Sequence, residues 1–265
     1  MLAFNKRCLV ILLVFILGTL DYCTATNYCD PDLCYGLEGH IGCNHNGEFA
    51  STCYPDAKII PIDENLREDI VRKHNEYRNL VAAGFDRFAP ASRMAKTHWN
   101  DELAQLAELN VKQCEAKHDL CRNTDQFNFA GQNIAVRYFW NDQFDAGATA
   151  LDQIDQWFDE YKLASMKDIR EYRTPSDGTV IGSFTAMVQE MGTGIGCAIL
   201  QQTGEQGIVQ QILTCNYSYI NIEGLPVYGI GAPTSHCTTG PDATYTSLCS
   251  DNEVYEVNDI PHYQD

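Results

Sequence analysis

The residues best suited to chemistry cluster in Cys114-Glu115-Ala116-Lys117-His118-Asp119-Leu120-Cys121, where two cysteines bracket a histidine and an acid. If these cysteines closed on each other, His118 would sit on a short stapled turn, and a pinned histidine suits proton transfer or metal ligation. Glu160, at the end of the run Trp157-Phe158-Asp159-Glu160, could act as a general base or a ligand. Ser183 in Gly182-Ser183-Phe184-Thr185 is a hydroxyl nucleophile by type, but it lies outside the Gly-x-Ser-x-Gly elbow that would expose it. Gln132 and Asn133 in Gly131-Gln132-Asn133-Ile134 offer neutral donors and acceptors, and the segment reads as a buried polar loop.

Other candidates fail their context. His74 and Arg78 lie one helical turn apart and could hold an anion, but one turn supplies neither a nucleophile nor an open metal position. They read as side chains that pin their helix. Gly192, Gly194 and Gly196 do not precede a helix, so they do not cradle a dinucleotide. There is no Cys-x-x-Cys and no His-x-x-x-His, which argues against a structural zinc site. Asn216-Tyr217-Ser218 is a glycosylation sequon beside Cys215, on a predicted strand.

Helices must position most of these groups. Asp63 can cap a helix that carries Leu66, Ile70, Tyr77 and Leu80 or Val81 inward, with Gly84 as its stop. Asn100 can cap a second over 100–117, with Leu103, Leu106, Ala107 and Cys114 on one face. A third fits 148–163, with Leu151, Ile154, Trp157, Phe158 and Tyr161 inward. Three β-leaning runs follow, at 184–191, 196–202 and 207–217, separated by glycine-rich turns. Ser183 would then enter a strand, and Cys197 and Cys215 would lie on neighbouring strands, close enough to bridge. Helices followed by an antiparallel sheet predict an α+β domain.

Lys6 and Arg7, the aliphatic run from Leu9 to Leu17 and the small residues Cys23-Thr24-Ala25 read as a secretory signal peptide over 1–25. Its removal takes Cys8 and Cys23 and leaves ten cysteines, an even number that argues for five disulfides in an exported chain. Residues 26–60 hold four of them with little periodic hydrophobicity, and read as a tied, irregular segment packed on the main domain at 61–228. Residues 229–265 read as an extension with one local staple, Cys237 and Cys249. No later segment reaches about 18 uninterrupted apolar residues, so no membrane span is expected. With 18 basic against 36 acidic residues, a net charge of −18 repels nucleic acid and anionic lipid surfaces, and no nucleic-acid partner is expected.

Taken together, Asn27-Tyr28-Cys29, His74-Asn75-Glu76-Tyr77-Arg78, Trp99-Asn100-Asp101-Glu102-Leu103-Ala104, Cys114 to Arg122, Gly131-Gln132-Asn133-Ile134, Trp157 with Glu160, Phe184-Thr185 with Val188, Ile195-Gly196-Cys197 and Cys215-Asn216-Tyr217 carry a resemblance. The chain resembles the insect, venom antigen-five-like branch of the CAP superfamily (cysteine-rich secretory proteins, antigen five and pathogenesis-related one), over about residues 27–228. The resemblance implies a three-layer α-β-α sandwich. It implies the pairings Cys29–Cys43, Cys34–Cys121, Cys53–Cys114 and Cys197–Cys215, which leaves Cys237 with Cys249. On that pattern Cys114 and Cys121 reach back to the N-terminal segment.

The family's cleft usually carries two histidines and two acids. By motif His118 stands for the first histidine and Glu160 for the second acid, while Gln132 replaces the first acid and Ser183 the second histidine. One histidine and one carboxylate fall short of a zinc site, so neither a metal nor any other cofactor is expected. The resemblance implies an extracellular protein that acts by binding, either a small apolar ligand such as a lipid or sterol or an extracellular protein; a monomer is expected. A lipid groove would be lined by Trp157 and Phe158. Two alternatives stand beside it: a hydrolase using Ser183, His118 and Glu160, and an inert structural protein.

Overall fold

The computed structural model describes residues 7–9, 22–140 and 144–260. The aliphatic run read as a leader falls almost entirely outside them. Strands β1 (Arg7–Leu9) and β2 (Tyr22–Thr24) form a small antiparallel ladder of their own.

The main sheet contains β3 (Lys58–Ile60), β4 (His98–Trp99), β5 (Gly131–Phe139), β6 (Gly194–Thr203) and β7 (Val209–Tyr217). Its order is β3-β6-β7-β5, all antiparallel, and β4 adds to β6 in parallel. Helices α1 (Glu64–Ala82), α3 (Ala146–Asp159) and α5 (Gly182–Met187) cover one face, and α2 (Asp101–Val111) covers the other. The short α4 (Met166–Arg170) follows α3.

The two-residue period of the strands sorts the core between these layers. Ile195, Cys197 and Ile199 of β6 join Leu213, Cys215 and Tyr217 of β7 under α1, α3 and α5, with Ile70, Ile154 and Phe184. Ala198, Leu200 and Ile212 point the other way, onto Ala107 and Val111 of α2. This is the three-layer α-β-α sandwich of the α+β class. At Gly196 the start of α2 lies directly on the strand: a Cβ there would fall 2.1 Å from the Ala104 amide nitrogen.

Asp63 caps α1 by accepting from the Leu66 amide, and Asn100 caps α2 by accepting from the Leu103 amide, each at 2.9 Å. His74 and Arg78 are buried. Arg78 donates to the carbonyls of Ala95, Met187, Gln189 and Glu190, which ties α1 to the loops at its far end. Five bridges join Cys29 to Cys43, Cys34 to Cys121, Cys53 to Cys114, Cys197 to Cys215 and Cys237 to Cys249. The segment after Pro226 is docked as well as stapled: Lys96 pairs with Asp242 at 3.0 Å, and Arg93 pairs with Glu253 at 2.8 Å.

Three local expectations change. Residues 184–191 do not form a strand, because Phe184–Met187 belong to α5. The polar loop expected at Gly131 is the start of a nine-residue strand, β5. Helix α2 stops at Val111, short of Lys117, and Cys114 sits at φ 59°, where it can reach Cys53.

Candidate functional site

A cleft of about 840 Å³ opens between β5, the end of α3, the start of α5 and the turn before β5. His118, Gln132, Glu160 and Ser183 all line it. The structure therefore brings the four motif positions together, and the bonds among them decide what they can do.

His118 is exposed on the turn, and its Nδ1 lies 2.8 Å from Gln132 Oε1. Gln132 is buried, and its Nε2 donates to Asp119 Oδ2 and Asn216 Oδ1, both at 3.0 Å. Two oxygens around Nε2 fix the amide's orientation, so Oε1 must accept from a His118 Nδ1–H. Asp119 also takes Asn110 Nδ2 at 3.1 Å and an ion pair from Arg122. The ring is thus held by a neutral amide, in the tautomer that leaves Nε2 for the cleft.

Glu160 follows α3 in a single 3₁₀ turn. Its Oε2 accepts from the backbone amides of Ser183 and Phe184, at 2.8 and 3.0 Å. It therefore supplies the cap that α5 lacks locally, since no side chain of the preceding residues bonds that helix start. From the other side, Asn133 Nδ2 donates to the Ser183 carbonyl at 3.0 Å and to the Tyr217 hydroxyl at 3.1 Å. Tyr217 in turn meets His74 Nε2 at 3.1 Å, and His74 Nδ1 meets the Ile70 carbonyl at 2.8 Å. A carbonyl only accepts, so Nδ1 carries the His74 proton and Nε2 accepts from Tyr217. Burial holds the His74 pKa down to about 4, which keeps the ring neutral.

Ser183 is thus pinned through both backbone groups, and among the described residues no hydrogen bond links its hydroxyl to His118. A Ser-His-acid relay needs the histidine between the other two. Here the acid reaches the serine's backbone and the histidine reaches a glutamine. Zinc fares no better. The donors left over are one imidazole nitrogen and one carboxylate oxygen, and a zinc centre needs at least three protein ligands, so these residues do not fit the ion. Elsewhere among the described residues Cys34, His40 and Cys121 converge, but both sulfurs are spent in a bridge.

One further expectation is corrected, and the sequon takes its place in the fold. Trp157 lines the cleft, but Phe158 does not: its ring stacks on Tyr77 at 3.8 Å inside the core. Asn216 lies on β7, fully buried, with its Nδ2 donating to the Leu103 carbonyl at 3.1 Å, so a glycan has no access to that nitrogen. Sequence reading missed Tyr172, Thr174, Val180, Ile220, Asn221 and Glu223, which complete the cleft from distant loops. No local periodicity marks them.

Comparison with known proteins bears on this fold and cleft. Residues 71–217 match the CAP family, described as the cysteine-rich secretory protein family. The chain is similar to Venom allergen-1 of Aedes albopictus, 36% identical over 253 residues that cover 95% of this chain and 96% of that protein. It is also similar to the antigen 5 like allergen Cul n 1 of Culicoides nubeculosus, 41% identical over 203 residues that cover 73% and 92% of the two chains. In fold it is similar to NaASP2, crystallised with Zn2+, with a TM-score of 0.60 at 22% identity over 75% of this chain and 100% of that one.

Proposed function

This chain belongs to the CAP family, in its insect antigen-five-like branch, and we propose that it acts outside the cell by binding an extracellular protein in the cleft, without catalysis. One observation carries this reading. The cleft is open and about 840 Å³ in volume, yet its histidine, acid and serine are each held by separate partners of the protein and among the described residues are not bonded into a relay with one another. Glu160 holds two backbone amides, His118 is tied to Gln132, and Ser183 is fixed by its backbone.

Five disulfides suit an oxidising extracellular fluid, as the sequence's leader does. The lining mixes apolar side chains such as Ile134, Val136 and Ile220 with polar ones such as Gln156, Thr174 and Asn221. A polypeptide, with polar backbone and varied side chains, matches that mixture better than an aliphatic tail does. A small apolar ligand such as a lipid or sterol is the second reading, favoured by Trp157 on the cleft wall.

Selection from a displayed random-peptide library tests the proposal. Sequences that bind the purified chain and are lost when Ser183→Trp fills the cleft support it. Failure to select any such sequence, together with a stoichiometric lipid in organic extracts of the purified protein, would replace it with the second reading.

A further inference from the structure

We propose that the partner binds as an extended segment that adds to the free edge of β5 inside the cleft, and that this segment is basic. This rests on the protein-binding reading and names its mode. The first observation is positional. The cleft is lined by Gln132, Asn133, Ile134, Ala135 and Val136, five consecutive residues of one strand. Successive side chains of a strand point to opposite faces, so a cavity lying on one face would meet only every second residue. The side chains agree: Gln132 turns toward the α2 face, through Asn216 to Leu103, and Asn133 toward the α5 face, at Ser183, so a cavity that meets both lies along the strand's edge.

The edge itself is unpaired. β5 is the terminal strand of the order β3-β6-β7-β5, and its register with β7 uses the inner side over all nine residues. Among the described residues, no backbone–backbone hydrogen bond outside that ladder reaches Gly131–Phe139. Every second residue of an antiparallel edge turns its N–H and C=O outward, which makes a template for another strand. Sheets commonly blunt such edges with charge, proline or a bulge. Within β5 there is no proline, one charged side chain (Arg137) and an uninterrupted register.

Just past the cleft the same strand carries Tyr138, 62% exposed, and Trp140 beyond its end, 78% exposed. Exposed aromatics of this size are typical anchors of protein interfaces. Charge sets the sign of the partner. Of the charged side chains lining the cleft, Arg122 is neutralised by Asp119, which leaves Glu160 and Glu223 facing it in a chain of net charge −18. Lysine or arginine at alternate positions of the incoming strand is complementary.

The test uses the full secreted chain and a blocked peptide of alternating lysine and valine, as long as β5. Three versions are titrated: unmodified, N-methylated at the odd amides, and N-methylated at the even amides. Strand addition uses only one set, so one methylated version should lose at least tenfold in affinity while the other binds like the parent. Hydrogen exchange should slow at Ile134 to Val136 when the parent binds. Equal affinity of both methylated versions, or protection elsewhere, would overturn strand addition and leave protein binding standing. No binding of the peptide, while library selection recovers other cleft ligands, would overturn the inference alone; failure of both would overturn the protein-binding reading as well. A glutamate-valine peptide that bound as tightly as the lysine one would overturn the basic partner.

Discussion

Glu160 is bonded to Ser183 through the serine's backbone amide, 2.8 Å from Oε2, and not through its hydroxyl. The same oxygen takes the next amide, of Phe184, so the carboxylate caps a six-residue helix that has no cap of its own. The two residues that looked most like an acid and a nucleophile are joined as a structural unit.

Replacing Glu160 with alanine should therefore loosen α5. Hydrogen bonds to a charged group contribute about 1.5–3 kcal/mol in mutational series. For a chain of this size that corresponds to a fall in Tm of about 3–12 °C. Thermal unfolding of Glu160→Ala checks it, and an unchanged Tm would deny the capping role.

Gln132 is the position where the family's cleft usually has an acid, and its surroundings explain why an acid does not fit here. A glutamate would place an oxygen about 3 Å from both Asp119 Oδ2 and Asn216 Oδ1, two acceptors that the present amide satisfies as a donor. Gln132→Glu should cost about 3 kcal/mol at pH 7. The loss should shrink at pH 4, where the new carboxyl can take up a proton and donate again. Urea unfolding at the two pH values reads both effects.

His74 makes stability depend on pH. Its folded pKa of about 4 lies below the usual 6.5 of an unfolded histidine, so the unfolded chain binds the extra proton between these values. Stability from this group is fully present above about pH 6.5 and is lost as pH falls toward 4. The loss is about 3 kcal/mol, given about 1.4 kcal/mol per unit. Urea midpoints measured across that window should fall with acid, and His74→Gln should flatten the slope.

Asn216 should leave the cell unglycosylated. Its side chain is buried between β5 and α2, where Nδ2 holds the Leu103 carbonyl. Mass spectrometry of the tryptic peptide from eukaryotic secretion should show an unmodified asparagine. Asn216→Gln should destabilise the fold, since it also breaks the bond from Gln132.

The sequence displayed α1 and the start of α2 because their caps, Asp63 and Asn100, are local signals that precede an apolar period. It hid α5, because the residue that starts that helix is Glu160, more than twenty positions upstream. Phe184 and Val188 in isolation suit a strand equally well. β5 was obscured by its polar beginning: Gln132 and Asn133 are there to serve a buried network across β7, and only from Ile134 onward does the strand composition surface. All four motif positions were legible as residues. Their partners were not, because Asp119, Asn216 and Tyr217 meet them only across the sheet and the turn that precedes it.

The central claim is that this cleft binds and does no chemistry, and labelling with a broad serine-reactive phosphonate tests it most directly. The intact secreted protein should keep its unmodified mass after prolonged incubation. An adduct on Ser183 that disappears in Ser183→Ala would contradict the claim and restore the hydrolase.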